Sequence, residues 1–574
     1  MEATLKQRLA FVPPLVWLLL LTLACLVPFA GKAFFIDDTL FLRAAQQIQR
    51  HPMDFYGFNV NWYGHLTPMS VAFDNPPLTS YYIALVASVV GWGEWGLHLA
   101  FLLPALAAVW GIYSLAQNYC QHPSVATLVA ISTPVFLISA TTLMCDVTLL
   151  ALWVWTLACF EKGLRHNRLA AFLIAGCLGG LAVWTKFLGL GLIPLLAVYG
   201  LFKTRHVGRW IIAPIIPLFF TAAYGAITYW LYGHDLLLSA AGYASDYRAN
   251  SYDQLWEKLI LGASFVGGCF LSGLFYVPLL WPRKIILMGP CLVAAGLLFI
   301  PRMAPLARLI WNQNGSLNWV FFLQVAILTV AGMYVLLLVL ADLWNRCDGT
   351  SFLLSMWISG ILIFTIGLNW TINGRSLLPA VPVIGILVAR RLEQRRTGFL
   401  PKELGRFLWP ALPTAAISLF LVKADYNLAN VHRTAAKILF AQYHKLGDTL
   451  WLQEYSGFQS GFQYYWEQLG GRTMTVKSPN LKTGDIIILP LNGLGNPQDS
   501  FYQGSDRITL IKVKKYVANS FCATMSTSAG AGFYAAVIGP LPFVIGDIKP
   551  EYFGVYQVPP KNHGPSQKLL SLGD

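Results

Sequence analysis

The sequence predicts an α-helical polytopic membrane protein with about 13 transmembrane helices and a C-terminal extracytoplasmic α/β domain. Three observations predict it. Only 11% of the 574 residues are charged and 56% are hydrophobic, where an ordinary soluble domain carries about 25% charged residues. Apolar runs near the ~20-residue length that crosses a bilayer recur along the chain. After Lys423 the composition becomes that of a soluble domain. This balance excludes a soluble, a disordered and a disulfide-scaffold protein. Cys25, Cys159, Cys177, Cys269 and Cys291 lie in apolar runs and read as small core residues. No CxxC or metal-like Cys/His spacing occurs. The net charge of +14 calls for no nucleic-acid partner, because basic residues on cytoplasmic loops are how membrane proteins orient themselves.

Taken in order, the first apolar run is expected to be a span over 14–33 rather than a cleaved signal peptide. It is long, and no small-residue cleavage site precedes Asp37. Further spans are expected at 97–117, 125–140, 147–161, 169–185, 188–202, 210–231, 260–281, 285–300, 318–343, 352–370, 376–390 and 407–422. Several are short and punctuated by Gly and Pro, which suits a tightly packed bundle. The segment Ser80–Gly91 is also apolar. It is too short to cross a bilayer and is expected to be an interfacial or re-entrant helix on the outer side, with a buried short span as the alternative.

With that count, Lys162, Arg165 and Arg168, then Lys203, Arg205 and Arg209, then the basic run Arg390–Arg406 all fall on loops of one side. The loops of the other side carry about half as many basic residues although they are longer, so the first side is assigned as cytoplasmic. The N-terminus is then cytoplasmic. The loop 34–96, the loop 232–259 and the domain 423–574 are outside, following a membrane domain over 1–422. The outer domain is expected to combine a helix over 430–446 with strands near 485–491 and 507–513. The run Leu452–Gly471 is expected to form a strand, a loop and a helix, its aromatics serving either as core or as the lining of an acceptor path.

Acids at the outer face need a purpose, because each one is costly in apolar surroundings. Asp37 and Asp38 follow the first span directly. The residues after them place Leu40, Phe41, Ala44, Ala45 and Ile48 on one face and Arg43, Gln46, Gln47 and Arg50 on the other, the pattern of an amphipathic interfacial helix. One Asp serves as an N-cap, but a cap does not require two. Their like charges are expected to raise one of the two pKa values.

Asp74 and Asn75 precede Pro76 and Pro77, which hold the turn rigid. Each also has a plain structural reading as part of that turn. Asp146 heads the fourth span, either as a cap or as a charged group facing Lys186 in the turn between spans five and six. Arg375 precedes span twelve on the same face, and its planar fork suits a phosphate. Arg248, in the second outer loop, is a further candidate cation. A carboxylate can take a proton from an acceptor. Cations can stabilise a phosphate leaving group. Together they suggest group transfer from a lipid phosphate on the outer leaflet.

Several motifs follow one another in order. These are the acid pair at Asp37, the element Asn75-Pro76-Pro77-Leu78, the span head Asp146-Val-Thr-Leu-Leu-Ala-Leu, the turn Gly180-Leu-Ala-Val-Trp-Thr-Lys186, and Arg375-Ser-Leu-Leu-Pro-Ala-Val-Pro382. Over roughly 30–400 the chain resembles the bacterial branch of the protein O-mannosyltransferase superfamily. That branch includes the aminoarabinose lipid A transferases and has the C-type (GT-C) glycosyltransferase fold.

The resemblance implies an inverting transfer from a polyprenyl-phosphate sugar to a lipid, glycan or protein acceptor at the outer face of the bacterial cytoplasmic membrane. It implies Asp37 as the first-loop acid that acts on the acceptor, Asp38 as the second acidic position and Asp146 as the acid of the fourth span. Arg375 would be the donor-phosphate ligand, with Lys186, Arg248 and Asn75 as further candidates. Asn75 stands where relatives have Lys or His. Asp74 stands where aminoarabinose transferases have a metal-linked Glu, so a divalent metal is an open option and no other cofactor is required. The rival readings are a transporter or lipid flippase, for which repeated halves and mid-bilayer charges are expected, and a non-catalytic scaffold. No repeat is visible here and the acids gather at one face.

Overall fold

A computed structural model describes residues 13–62, 64–251, 255–303, 306–312, 314–395, 407–444, 449–452, 460–475, 481–492 and 509–559. Helices dominate up to residue 444, where the described strands are the antiparallel pair Asn59–Trp62 and His65–Pro68, and further strands follow it. Among the described residues, seven helices are long and apolar enough to cross a membrane: Glu94–Tyr119, Asp146–His166, Phe187–Thr204, Arg209–Tyr232, Arg283–Arg302, Trp319–Arg346 and Gly349–Leu368. Shorter apolar helices occupy Pro14–Phe29, Leu78–Val90 and Leu169–Thr185. The protein is an integral, polytopic α-helical membrane protein with a strand-containing C-terminal region.

Local chemistry sets the breaks between helices. Asn167 and Cys347 adopt left-handed conformations after the helices Asp146–His166 and Trp319–Arg346, with φ of 48° and 46°. Asn318 and Asp348 cap the helices Trp319–Arg346 and Gly349–Leu362 by accepting the backbone N–H of Phe321 at 3.2 Å and of Ser351 at 2.6 Å. Each satisfies an N–H that the first helical turn leaves without a partner.

Small residues let the bundle close. A Cβ on Gly267 would come within 1.8 Å of the Leu328 carbonyl, and one on Gly332 within 2.0 Å of the Ala263 carbonyl. The helices Leu255–Cys269 and Trp319–Arg346 therefore touch backbone to backbone, the packing that membrane helices use in place of a hydrophobic drive.

One end of the bundle is held by a buried cation. Arg390 is 2% exposed. It donates to Asp342 at 3.0 Å, to Asp348 at 3.1 Å and to the Tyr119 carbonyl at 3.1 Å. At the same end, Glu161 accepts from Tyr199 at 3.0 Å and pairs with Arg165 and Lys203.

The helix Ala411–Tyr443 passes without a break through the composition change at Lys423. At about 1.5 Å per residue its 33 residues span ~50 Å, well beyond the ~30 Å of a hydrocarbon core. The helix is therefore longer than a hydrocarbon core is thick, and its C-terminal half packs against the strand-containing region.

There a five-stranded sheet runs in the order Arg472–Thr473, Leu450–Leu452, Ile486–Pro490, Glu551–Gln557, Thr509–Tyr516. Its first three strands are parallel and the rest antiparallel. Ile486–Pro490 is buried at every position, as a central strand covered on both faces must be. Thr509–Tyr516 lies at the edge and carries Lys512, Lys514 and Lys515, charges that discourage edge-to-edge association. Of the run Leu452–Gly471, residues 453–459 lie outside the described residues. Phe462, Tyr464, Tyr465 and Trp466 are buried, so these aromatics are core.

Arg390→Met leaves Asp342 buried without its guanidinium, and the expected cost is about 3–5 kcal/mol. Thermal unfolding of the detergent-solubilised protein should show a large drop in Tm, partly recovered when Asp342→Leu is added. An unchanged Tm in the single variant would remove Arg390 as the anchor of that end.

Candidate active site

The site lies at the end of the bundle opposite Arg390. Asp37 follows the first helix, Asp146 begins the helix Asp146–His166, Lys186 follows Leu169–Thr185, and Arg375 sits in the helical turn Gly374–Leu377. The Asp146–His166 and Leu169–Thr185 helices are consecutive and antiparallel, so the start of one meets the end of the other.

Four charges alternate in sign. Arg375 Nη2 lies 2.8 Å from Asp37 Oδ2. Arg375 Nη1 lies 3.9 Å from Asp146 Oδ2. Lys186 Nζ donates to Asp146 Oδ1 at 2.7 Å. Asp146 is 1% exposed, Arg375 13% and Asp37 24%, so the row runs from an enclosed pair to an open carboxylate. Arg375 also donates to Met144 Sδ at 2.7 Å. Two buried atoms, Arg375 Nε and Asp146 Oδ2, have no hydrogen-bond partner among the described residues. The site thus holds polar capacity that the protein does not use itself.

The adjacent aspartates are built for different work. Asp37 stands at the N-cap position of the helix Asp38–Arg50, yet its side chain makes no capping bond and turns to Arg375 instead. Asp38 is fully buried. Its Oδ2 accepts the Phe35 N–H at 3.1 Å and its Oδ1 the Leu143 N–H at 2.8 Å, which ties the segment after the first helix to the turn before Asp146. Ile36, just ahead of the pair, has φ of 50°. That is a strained conformation for a β-branched residue, of a kind that persists only where surrounding contacts enforce it.

Burial pushes the Asp38 carboxyl up to about 7, against the pull of Lys32 and of the two N–H groups. The negative charge of Asp37 is the least of the causes. The raised acid of the pair therefore owes its shift to desolvation rather than to its neighbour.

Asp74 and Asn75 border this row. The Asn75 side-chain oxygen accepts from Cys145 Sγ at 3.6 Å, and its backbone carbonyl accepts the Tyr56 hydroxyl. Burial raises the Asp74 carboxyl to about 6. Tyr56 and Tyr243 lie within electrostatic reach of it. Among the described residues no group of three or more His, Cys, Asp and Glu side chains gathers to hold a metal ion. Arg248 falls within the helix Leu236–Ser251, but its side chain lies outside the described residues.

The sequence reading missed Lys32, Asp425 and Tyr534. Lys32 is fully buried and pairs with Asp425 at 2.5 Å. Asp425 also accepts from Thr524 at 2.6 Å and from Tyr534 at 2.8 Å. Lone charges at the ends of apolar runs were the available signal for Lys32 and Asp425. Nothing local marks Tyr534.

Because folding raises the Asp38 carboxyl from its ordinary value near 4 to about 7, the folded state holds this proton more tightly than the unfolded chain does. Its contribution is fully present below about pH 4 and is lost as pH rises through about 7. Tm measured from pH 4 to 8 should therefore decline, and Asp38→Asn should flatten the decline. An equally steep decline in the variant would assign it to other groups.

Residues 74–231 match the family model described as dolichyl-phosphate-mannose-protein mannosyltransferase. That segment contains Asp74, Asn75, Asp146 and Lys186. No curated protein matches the chain. Among solved structures, the oligosaccharyltransferase of Archaeoglobus fulgidus in the apo form is similar at 12% identity and a TM-score of 0.47, over 80% of this chain and 64% of that one. The chain thus spans about two thirds of that enzyme's length. ArnT from Cupriavidus metallidurans bound to undecaprenyl phosphate is similar at 14% identity and a TM-score of 0.40, over 83% of this chain and 93% of that one. Arabinosyltransferase EmbB from Mycobacterium smegmatis is similar at 13% identity and a TM-score of 0.33, over 80% of this chain and 43% of that one. The resemblance carried by the motifs is borne out over residues 74–231 by the match to that family model.

Proposed function

We propose that the protein is an inverting glycosyltransferase that moves a sugar from a polyprenyl-phosphate donor to an acceptor at the outer face of a bacterial cytoplasmic membrane. The observation that carries this reading is the row Asp37–Arg375–Asp146–Lys186 at one end of the bundle, with unused polar atoms on Arg375 and Asp146. The family match over 74–231 supports it. So does the distribution of basic residues, which assigns this end to the outer side.

Arg375 and Lys186 are the groups for the donor phosphate. Asp37, the most open of the carboxylates, is the general base. An acceptor hydroxyl or amine gives its proton to Asp37 as its heteroatom attacks the anomeric carbon. The bond from that carbon to the phosphate oxygen breaks, and the bond electrons stay with the phosphate. The guanidinium and ammonium stabilise the growing charge in a site shielded from water, where such interactions are strongest. Asp146 holds the two cations together, and Asp38 holds the loop that carries Asp37. No metal enters the scheme. The acceptor is a lipid such as lipid A, a glycan or a protein side chain. A transporter or flippase is disfavoured because the charged row sits at helix ends rather than at mid-span.

Asp37→Asn should lower transfer from a polyprenyl-phosphate sugar by about 10²–10⁴-fold while undecaprenyl phosphate still binds. Arg375→Ala should instead abolish binding of that lipid. Transfer assayed on envelope extracts from a deletion strain, with glycan mass spectrometry as the readout, checks the first, and binding of undecaprenyl phosphate to the purified variants checks the second. Full activity in Asp37→Asn would reject the reading.

A further inference from the structure

The contacts of Arg375 come from two parts of the chain. Asp37, Met144 and Asp146 belong to the helical bundle. The guanidinium carbon lies over the ring of Tyr534, 5.4 Å from its centroid, and the C-terminal region supplies that ring. Tyr534 is buried and held at several points. Its hydroxyl donates to Asp425 Oδ2 at 2.8 Å. The Gly374 N–H donates to the Phe533 carbonyl at 2.8 Å, and the Ala536 N–H donates to the Ile372 carbonyl at 2.8 Å. A Cβ at Gly374 would lie 2.5 Å from the Phe533 ring, so a larger residue before Arg375 would push this segment away. Asp425 is fixed in turn by Lys32 at 2.5 Å and Thr524 at 2.6 Å. A buried polar chain thus runs from Lys32 at the exit of the first helix, through Asp425 and Tyr534, to Arg375.

We propose that Tyr534 is a positioning residue for Arg375, so that the C-terminal region completes the phosphate-binding end of the site. This rests on the reading of Arg375 as the donor-phosphate ligand. A long cationic side chain loses considerable rotamer freedom when it is held in one geometry. A ring within cation–π distance restricts it, and that attraction strengthens when water is excluded. The hydroxyl bond to Asp425 fixes the ring itself. The Arg375 edge then stays aimed at Asp37 and the open side of the site. Without the ring, the guanidinium is free to turn away, and its pair with Asp37 opens.

The test uses the full chain in detergent with three variants. Tyr534→Leu removes the ring. Tyr534→Phe keeps the ring and removes the hydroxyl. Tyr556→Leu perturbs the small separate core around Met474, Ile487 and Leu489 and serves as a destabilising control. Labelling of Arg375 by phenylglyoxal, read by peptide mass spectrometry, needs no ligand. It should be about fivefold faster in Tyr534→Leu and within about twofold of wild type in Tyr534→Phe and in Tyr556→Leu, as expected for loss of a desolvated cation–π contact. Undecaprenyl phosphate should bind about tenfold more weakly to Tyr534→Leu. If wild type does not bind that lipid while the labelling pattern holds, the donor reading falls and the positioning role stands. Wild-type labelling of Arg375 in Tyr534→Leu, or an equal increase in Tyr556→Leu, would overturn the proposal.

Discussion

The pairing of charges in apolar surroundings governs the organisation of this protein. An ion removed from water costs several kcal/mol unless a partner and hydrogen bonds compensate it. Asp146 lies at the head of a helix with almost no exposure, so two cations must reach it. Those cations, Lys186 and Arg375, lie 40 and 229 residues further along the chain. Arg375 also draws in Asp37 from the first outer loop. Meeting the demand of one buried carboxylate therefore brings together the ends of four separate segments. The functional row and the packing constraint are the same set of contacts.

Two neighbouring aspartates show how a chain separates support from chemistry. Asp38 spends both oxygens on backbone N–H groups and is closed to solvent. Asp37 has no backbone duty and keeps part of its surface open. The strained Ile36 lets the chain point one carboxylate inward and the next toward Arg375. Such strain costs about 1–3 kcal/mol, and the Asp38 clamp offsets it. The exposed carboxylate is thereby presented from a rigid base rather than from a free loop.

Much of this was legible in the sequence. Hydropathy and length marked the helical segments, and the amphipathic pattern after Asp37 marked the helix Asp38–Arg50. Asp146, Lys186 and Arg375 stood out because a charge at the end of an apolar run is expensive without a purpose. The cause of the Asp38 shift was not legible, because sequence proximity suggests repulsion while only the fold reveals burial. Nor was the part played by Tyr534. Aromatic residues are common in this chain, and no local pattern separates one that stacks on a distant guanidinium from one that fills a core. Lys32 and Asp425 had the right signature individually, but 393 residues separate them and nothing in either neighbourhood names the other.

The unbroken helix Ala411–Tyr443 has a mechanical consequence. A rod with no joint transmits rotation from one end to the other. Asp425 lies on that rod and ties it to Lys32 after the first helix, and the same carboxylate holds Thr524 and Tyr534 of the strand-containing region. Any lean of the rod, which packing against neighbouring helices sets, is thereby passed to the segment that carries Tyr534 beside Arg375.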